Sequence, residues 1–269
     1  MAAIDNVYEL PHLAAVLVSG LDAEKFLQSQ LSSNVAALES GSAQFSSWCA
    51  ANGRVIGLGW LFRTADGFCW IVAVDTVEAI ITGLNKYRLR SKVSIAQADP
   101  DSTVFGSDVA FSAAYSAVRL ADGRGLGFGN TTDCQLAPKN FLGHWLRRDI
   151  ELKIPWNGGG ERFLPQMLGI ERFAGLSLKK GCFPGQEVIS RLHYKGVLKR
   201  NLRVLDCDQS FVLGRFLCVE AQDEIEVIQP QATVALAVVG CNLPQNFSIT
   251  RDGVEIFCRT IGDEFVEAL

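Results

Sequence analysis

Past Arg200 the helical period disappears from this chain. Residues 201–206, 216–221, 224–228, 233–239 and 254–259 are short runs rich in aromatic and β-branched residues, each bounded by turn formers, with no amphipathic helix between them. Strands without helices to cover them satisfy their edges by pairing with one another, so residues 197–269 are expected to form a small β-barrel or sandwich of about 70 residues. The boundary falls near residues 195–200.

Upstream the texture is mixed. Residues 14–18 are an apolar run ending at Ser19-Gly20; Asp22 is placed to cap a helix on which Phe26, Leu27, Gln30 and Leu31 follow helical spacing. Residues 45–49, 54–62 and 68–74 are strand-like and separated by Asn52-Gly53 and Ala65-Asp66-Gly67, the turn signals of an antiparallel meander. Val77, Ile80, Ile81 and Leu84 then share one face of a helix over 77–88 able to cover that sheet. Strand character resumes at 104–109, 115–120 and 125–128, and 141–152 reads as helix.

Composition narrows the class. In 269 residues, 48% hydrophobic and 20% charged is a folded globular balance. The longest apolar runs, 13–18 and 233–239, are far short of the roughly 18–20 residues that span a bilayer, so no membrane contact is expected. Residues 1–10 carry Asp5 and Glu9 but no basic residue, unlike a secretory or transit peptide, which points to the cytoplasm. Eight scattered cysteines without a CxxC pair read as reduced, mostly buried thiols. The three histidines are not spaced with cysteines or acids as zinc ligands are, so no structural metal is expected.

The net charge of −4 conceals a local concentration of cations. Residues 179–203 hold seven Lys or Arg and one acid, a balance of +6, which leaves −10 for the remainder. Within that stretch lies Lys179-Lys180-Gly181-Cys182-Phe183-Pro184-Gly185-Gln186-Glu187. Cations beside a thiol favour the reactive thiolate, so Cys182 with Lys180 is a candidate reactive pair, against the reading of Cys182 as a small buried hydrophobe. Gly181 and Gly185 permit positive φ and close backbone approach, and Pro184-Gly185 is a turn leading into a short helix from Gln186, whose free N–H groups suit an anion or a heterocycle edge. Glu187 and Arg191 stand four residues apart and either meet a ligand or pair on the helix surface. Lys195, Lys199, Arg200 and Arg203 attract polyanions or form a solvated face, with Tyr194 beside them as a stacking surface.

Two further segments carry alternatives. The glycines of 122–129 have neither the P-loop nor the dinucleotide spacing and read as a turn entering a strand. Trp145, on the helix at 141–152 with Arg147, Arg148 and Glu151, is either core or an aromatic platform for a flat heterocycle.

The series Lys180-Gly181-Cys182-Phe183-x-Gly185-Gln186-Glu187, then Arg191, then Tyr194-Lys195-Gly196-x-x-Lys199-Arg200, resembles the YgfZ family of folate-binding proteins, relatives of the glycine cleavage T-protein. Ser19-Gly20-x-Asp22-Ala23-Glu24-Lys25-Phe26-Leu27-Gln28-x-Gln30-Leu31 and Phe163-Leu164-Pro165-Gln166 support it. The resemblance implies an α+β fold, with two ferredoxin-like α/β portions followed by a small C-terminal β-barrel around a central folate pocket. The expected division is 1–40 with 110–175, 41–109 with 176–196, and 197–269. Trp145 is implied as the residue stacked on the folate ring and Glu151 as the acid holding it. Cys182 is implied as the functional cysteine with Lys180 beside it; Gly181, Gln186, Glu187, Arg191, Lys195 and Arg200 are the further candidate cofactor-binding residues.

The family's N-terminal tryptophan appears here as Leu13, and the acidic pair of the T-protein hairpin as Gly57-Leu58, which leaves no evident group for proton transfer at the folate nitrogen. The implied function is tetrahydrofolate-dependent, or one-carbon-folate-dependent, support of iron–sulfur cluster synthesis or repair. Its partners are folate and iron–sulfur proteins, including tRNA-modifying enzymes. The alternatives are an aminomethyl-type transferase and a protein that contacts tRNA directly.

Overall fold

The computed structural model describes residues 6–108, 116–130, 135–136 and 141–261. Cys134 and the expected strand ends at Val109 and Tyr115 lie outside these residues. The strands in chain order are β1 (Asn6–Glu9), β2 (Leu13–Ser19), β3 (Ala43–Cys49), β4 (Val55–Thr64), β5 (Gly67–Ala73), β6 (Ser94–Gln97), β7 (Thr103–Ser107), β8 (Ser116–Arg119), β9 (Gly125–Gly129), β10 (Gln135–Leu136), β11 (Arg200–Cys207), β12 (Gly214–Cys218), β13 (Asp223–Gln231), β14 (Val234–Gly240), β15 (Asn246–Arg251) and β16 (Val254–Ile261). The helices are α1 (Ala23–Gln30), α2 (Val77–Arg88), α3 (Phe141–Glu151) and α4 (Gln186–Lys195). No helix among the described residues is long and apolar enough to cross a membrane.

The expected meander forms and acquires two further strands, giving the antiparallel order β3-β4-β5-β2-β6. Period-two alternation divides its side chains between two cores. Val16 and Val18 join Trp48, Leu61, Trp70 and Val72 beneath α1 and α2, meeting Phe26, Leu27, Ile80 and Leu84. Leu13, Ala15, Phe45, Leu58, Trp60 and Phe62 belong to a second, central core.

A second sheet, β10-β1-β7-β9-β8, contributes Tyr8, Val104, Val118 and Leu126 to that central core, together with Trp145 and Ile150 of α3. The expected segments do not map one to one onto the sheets. Strand β2 pairs with β5 along Leu13–Ala73 to Ser19–Gly67, and β7 pairs with β1 and β9. Hydrogen bonds therefore cross the expected divisions at 40/41 and 109/110.

The C-terminal strands close into a barrel in the order β11-β14-β13-β12-β15-β16. Leu205, Phe216, Ile225, Val227, Ala237, Val239, Phe247 and Ile249 belong to its own core. Alternate residues, Leu202, Val204, Val234, Leu236 and Val238, belong instead to the central core, so the barrel shares that core with both sheets.

One expectation needs correcting. Cys207 and Cys258 are not free thiols: they are direct register partners across β11 and β16, with Cα atoms 4.2 Å apart, and are joined by a disulfide. Fifty-one residues separate them in sequence, and barrel closure is what brings them together. Cys49, Cys69, Cys182, Cys218 and Cys241 are free.

Candidate functional site

The segment 175–186 is bound to the first sheet at several points. Ser177 N–H donates to the Ser32 carbonyl at 2.9 Å, and Ser32 Oγ bonds both the Gly175 carbonyl (2.5 Å) and Ser47 Oγ (2.8 Å). Ser33 Oγ lies 2.7 Å from Ser46 Oγ and accepts from Gln44 Nε2 at 2.9 Å. These hydroxyls are buried and satisfy one another.

Lys180 reaches into the same place. Its Nζ donates to the carbonyls of Leu31 and Ser33, the latter at 2.8 Å, and lies 5.2 Å from the Phe183 ring centroid. Burial lowers its pKa to about 8. Lys180 is thus an anchor that fastens the loop to the end of α1, and no hydrogen bond joins it to Cys182. Backbone carbonyls take two of its three ammonium donors.

The far end of the loop is held by steric fit. Gly185 has φ +78°, and a Cβ there would come 2.5 Å from both the Ala50 carbonyl oxygen and Gly53 Cα in the β3–β4 turn. Only glycine allows that approach at that φ. Phe183 is buried, and Ile189 is the buried residue of α4, whose carbonyl accepts from Gln166 Nε2 at 2.7 Å. Gly181, by contrast, has open space around its Cβ position and does not have a positive φ.

Between these anchors Cys182 is exposed. A thiol on a loop fixed at both ends is presented to solvent at a defined place. Cys49 and Cys69 are the opposite case: both are buried, and burial pushes Cys49 up to about 12 and Cys69 well above the ordinary thiol range.

Glu187, Arg191 and Lys195 are exposed on α4, and Gln186 is half-buried at its start. Glu187 and Arg191 make no ion pair among the described residues. Arg200 is engaged elsewhere, donating to the Glu224 (3.0 Å) and Val238 (3.1 Å) carbonyls of the barrel. Tyr194 is 69% exposed, its ring edge-on to His193 at 4.8 Å.

Trp145 and Glu151 sit apart from this loop, on α3. Trp145 is 1% exposed: the Arg124 guanidinium lies 4.0 Å from its ring centroid, Tyr8 meets it edge-on, and a Cβ on Gly106 would come 2.6 Å from its ring. Arg124 is held by Asp122 (2.6 Å) and Asp149 (2.8 Å), and Asp149 also accepts from Trp156 Nε1 at 2.8 Å. Burial pushes the Asp149 carboxyl up, opposed by Arg124 and the Trp156 donor. This buried network, in which Arg124 Nη1 and Trp145 Nε1 have no hydrogen-bond partner among the described residues, was not singled out from the sequence; Arg124 within the glycine-rich turn read only as a turn residue. Glu151 is at the surface, paired with Arg147 (3.2 Å) and Arg148 (3.5 Å). In this arrangement Trp145 offers no open face and Glu151 no unpaired carboxylate. Leu13 lines a cleft of about 180 Å³ with Val104 and Phe128.

No protein-family model matches this sequence. The fold is similar to that in the crystal structure of glycine cleavage system aminomethyltransferase T from Bartonella henselae, with a TM-score of 0.74 and 15% identity over 99% of this chain and 87% of that one. At that identity the likeness is one of fold: mixed α/β sheets and a closed six-stranded barrel.

Proposed function

We propose that this chain is a folate-binding accessory protein that supports iron–sulfur cluster synthesis or repair, and through it tRNA modification, with Cys182 as the residue that meets its cargo. The observation that carries the reading is the exposed Cys182 on a loop fixed by Lys180 on one side and Gly185 on the other. The motif around Cys182 and the aminomethyltransferase-like fold support folate as the ligand. The implied ring contacts do not fit as they stand, because Arg124 covers Trp145 and two arginines hold Glu151. The reading therefore rests on the thiol, and no chemical step is routed through the folate.

Aminomethyl transfer is the weaker reading. A side chain at Gly57 would place its Cβ 2.4 Å from Ile80 Cδ1, and Leu58 is buried in the central core. Both positions of the missing acidic pair are committed to packing, so a carboxylate there has to push the Ile80 side chain aside or be buried uncompensated. Direct tRNA contact has the exposed Tyr194, Lys195 and Lys199 in its favour. It loses Arg200 to barrel carbonyls.

The test compares Cys182→Ser with Cys241→Ser, a second exposed cysteine, in cells lacking the wild-type chain. Iron–sulfur enzyme activity is expected to fall severalfold with the first and to persist with the second, while calorimetric tetrahydrofolate affinity of the purified Cys182→Ser protein stays within about threefold of wild type. Equal activity of the two variants removes the thiol from the function. No heat of tetrahydrofolate binding to wild type removes folate.

A further inference from the structure

A groove of about 910 Å³ runs between α1 and the turn that ends α2, with Lys25, Phe26 and Ser29 on one wall and Tyr87, Leu89 and Arg90 on the other. Two leucines at this surface stand almost wholly in solvent: Leu21 is 87% exposed and Leu89 is 89% exposed. A leucine left in water forgoes the favourable burial of its side chain.

Leu89 is also strained. Its φ of 43° and ψ of −107°, with Ser91 N–H donating to the Arg88 carbonyl at 2.8 Å, form a type II′ turn whose first central position is ordinarily glycine. Glycine would relieve the strain and the exposure together, yet the chain holds a leucine there. Strain that local structure does not require is a mark of functional positions. The neighbouring turn is tied to the same segment: the Asp22 carboxylate accepts from Lys92 N–H at 2.7 Å, and Asp22 N–H donates to the Lys92 carbonyl at 3.3 Å. Leu21 and Leu89 are therefore held in a fixed relation.

Charge indicates the occupant. Lys25, Lys86, Arg88, Arg90 and Lys92 are all exposed, and none is ion-paired among the described residues. Of the nearby acids, Glu24 is paired with Arg63 at 2.7 Å, and Asp22, which lines the groove and accepts from the Lys92 backbone N–H, is outnumbered by these five cations. We infer that this groove docks an acidic amphipathic segment of a partner protein, whose apolar side chains rest on Tyr87 and Leu89 while its carboxylates meet Lys25, Arg90 and Lys92. A nucleic acid uses the cations but leaves Leu89 in water. A bilayer takes up protruding apolar side chains but leaves a concave groove unfilled.

The test is fluorescence anisotropy with a labelled helical peptide bearing leucines on one face and glutamates on the other, against the same residues scrambled. The variants are Leu89→Gly, which relieves strain and so keeps the fold, and Arg90→Glu with Lys92→Glu, with circular dichroism confirming that each is folded. Wild type is expected to prefer the ordered peptide by at least about tenfold, Leu89→Gly to weaken it about tenfold, and the charge reversal to abolish it. Equal binding of ordered and scrambled peptide, wild-type affinity in Leu89→Gly, or no binding at all overturns the inference. Tighter binding of oligouridylate insensitive to Leu89→Gly reassigns the surface to nucleic acid. Tighter binding of phosphatidylserine vesicles that Leu89→Gly abolishes reassigns it to a membrane, and either result also overturns the inference.

Discussion

Both imidazole nitrogens of His12 are buried without a hydrogen-bond partner among the described residues, and burial lowers its pKa to about 4. The folded state therefore holds His12 neutral at a pH where the unfolded chain, with a pKa near 6.5, takes up a proton. That contribution to stability is fully present above about pH 6.5 and is lost as pH falls through about 4, by up to about 3 kcal/mol. Urea unfolding of wild type and His12→Gln at pH 7, 5.5 and 4.5 reads it: the wild type is expected to lose more stability on acidification, and parallel losses would show that His12 does not titrate this way. At this scale the sequence was read unevenly. Cys182 stood out through its flanking residues, and it is exposed. The role of Lys180 was hidden because its partners, the Leu31 and Ser33 carbonyls, are about 150 residues away. Backbone carbonyls leave no trace in a sequence pattern.

The loop before α4 behaves as one unit with the β3–β4 turn. Gly185→Ala meets both a positive φ and a collision with Ala50 and Gly53, whereas Gly41→Ala meets a positive φ in open space. The Gly41 change is expected to cost about 1 kcal/mol and the Gly185 change at least about 2 kcal/mol more. Hydrogen exchange over 181–190 should accelerate in Gly185→Ala alone; unchanged protection there would mean the loop is not held by this contact. Elements with strong local signals were legible: α2 runs from Val77 to Arg88, where its apolar spacing put it, and the meander follows its Asn-Gly and Asp-Gly turns. Elements with weak local signals were not. Strand β6 buries only Ile95, and β15 was passed over although Phe247 and Ile249 reach the barrel core. Both are defined by the partners they pair with. Asp22 does flank α1, but its carboxylate serves Lys92 and makes no cap hydrogen bond.

The whole molecule is organised around one core to which both sheets, α3 and the outer face of the barrel contribute. The texture of the C-terminal strands left a barrel or a sandwich open and the resemblance implied the barrel, while the allocation of strands to the two sheets was not readable, because β2 finds β5 only after the chain has folded back from Ser19 to Gly67. The Cys207–Cys258 bond closes the seam between β11 and β16 across 51 residues. Replacing both cysteines with serine is expected to lower stability by about 2–4 kcal/mol. Denaturant midpoints measure the loss, and non-reducing peptide mapping checks that the two are linked; recovery of both as free thiols in the native protein would exclude the bond.

The serine zipper that ties Ser32 and Ser33 to Gly175, Ser46, Ser47 and, through the Ser33 carbonyl, Lys180 also bears on how variants of this chain should be interpreted. Inheritance of a defect need not follow sequence neighbourhood. A change at the end of α1 that spares the thiol itself shifts the platform on which the thiol stands. On the function proposed for Cys182, a screen for loss of function is expected to place alleles at Ser32, Ser33 and Lys180 in one group with Cys182, although the first two are encoded in a different region of the gene.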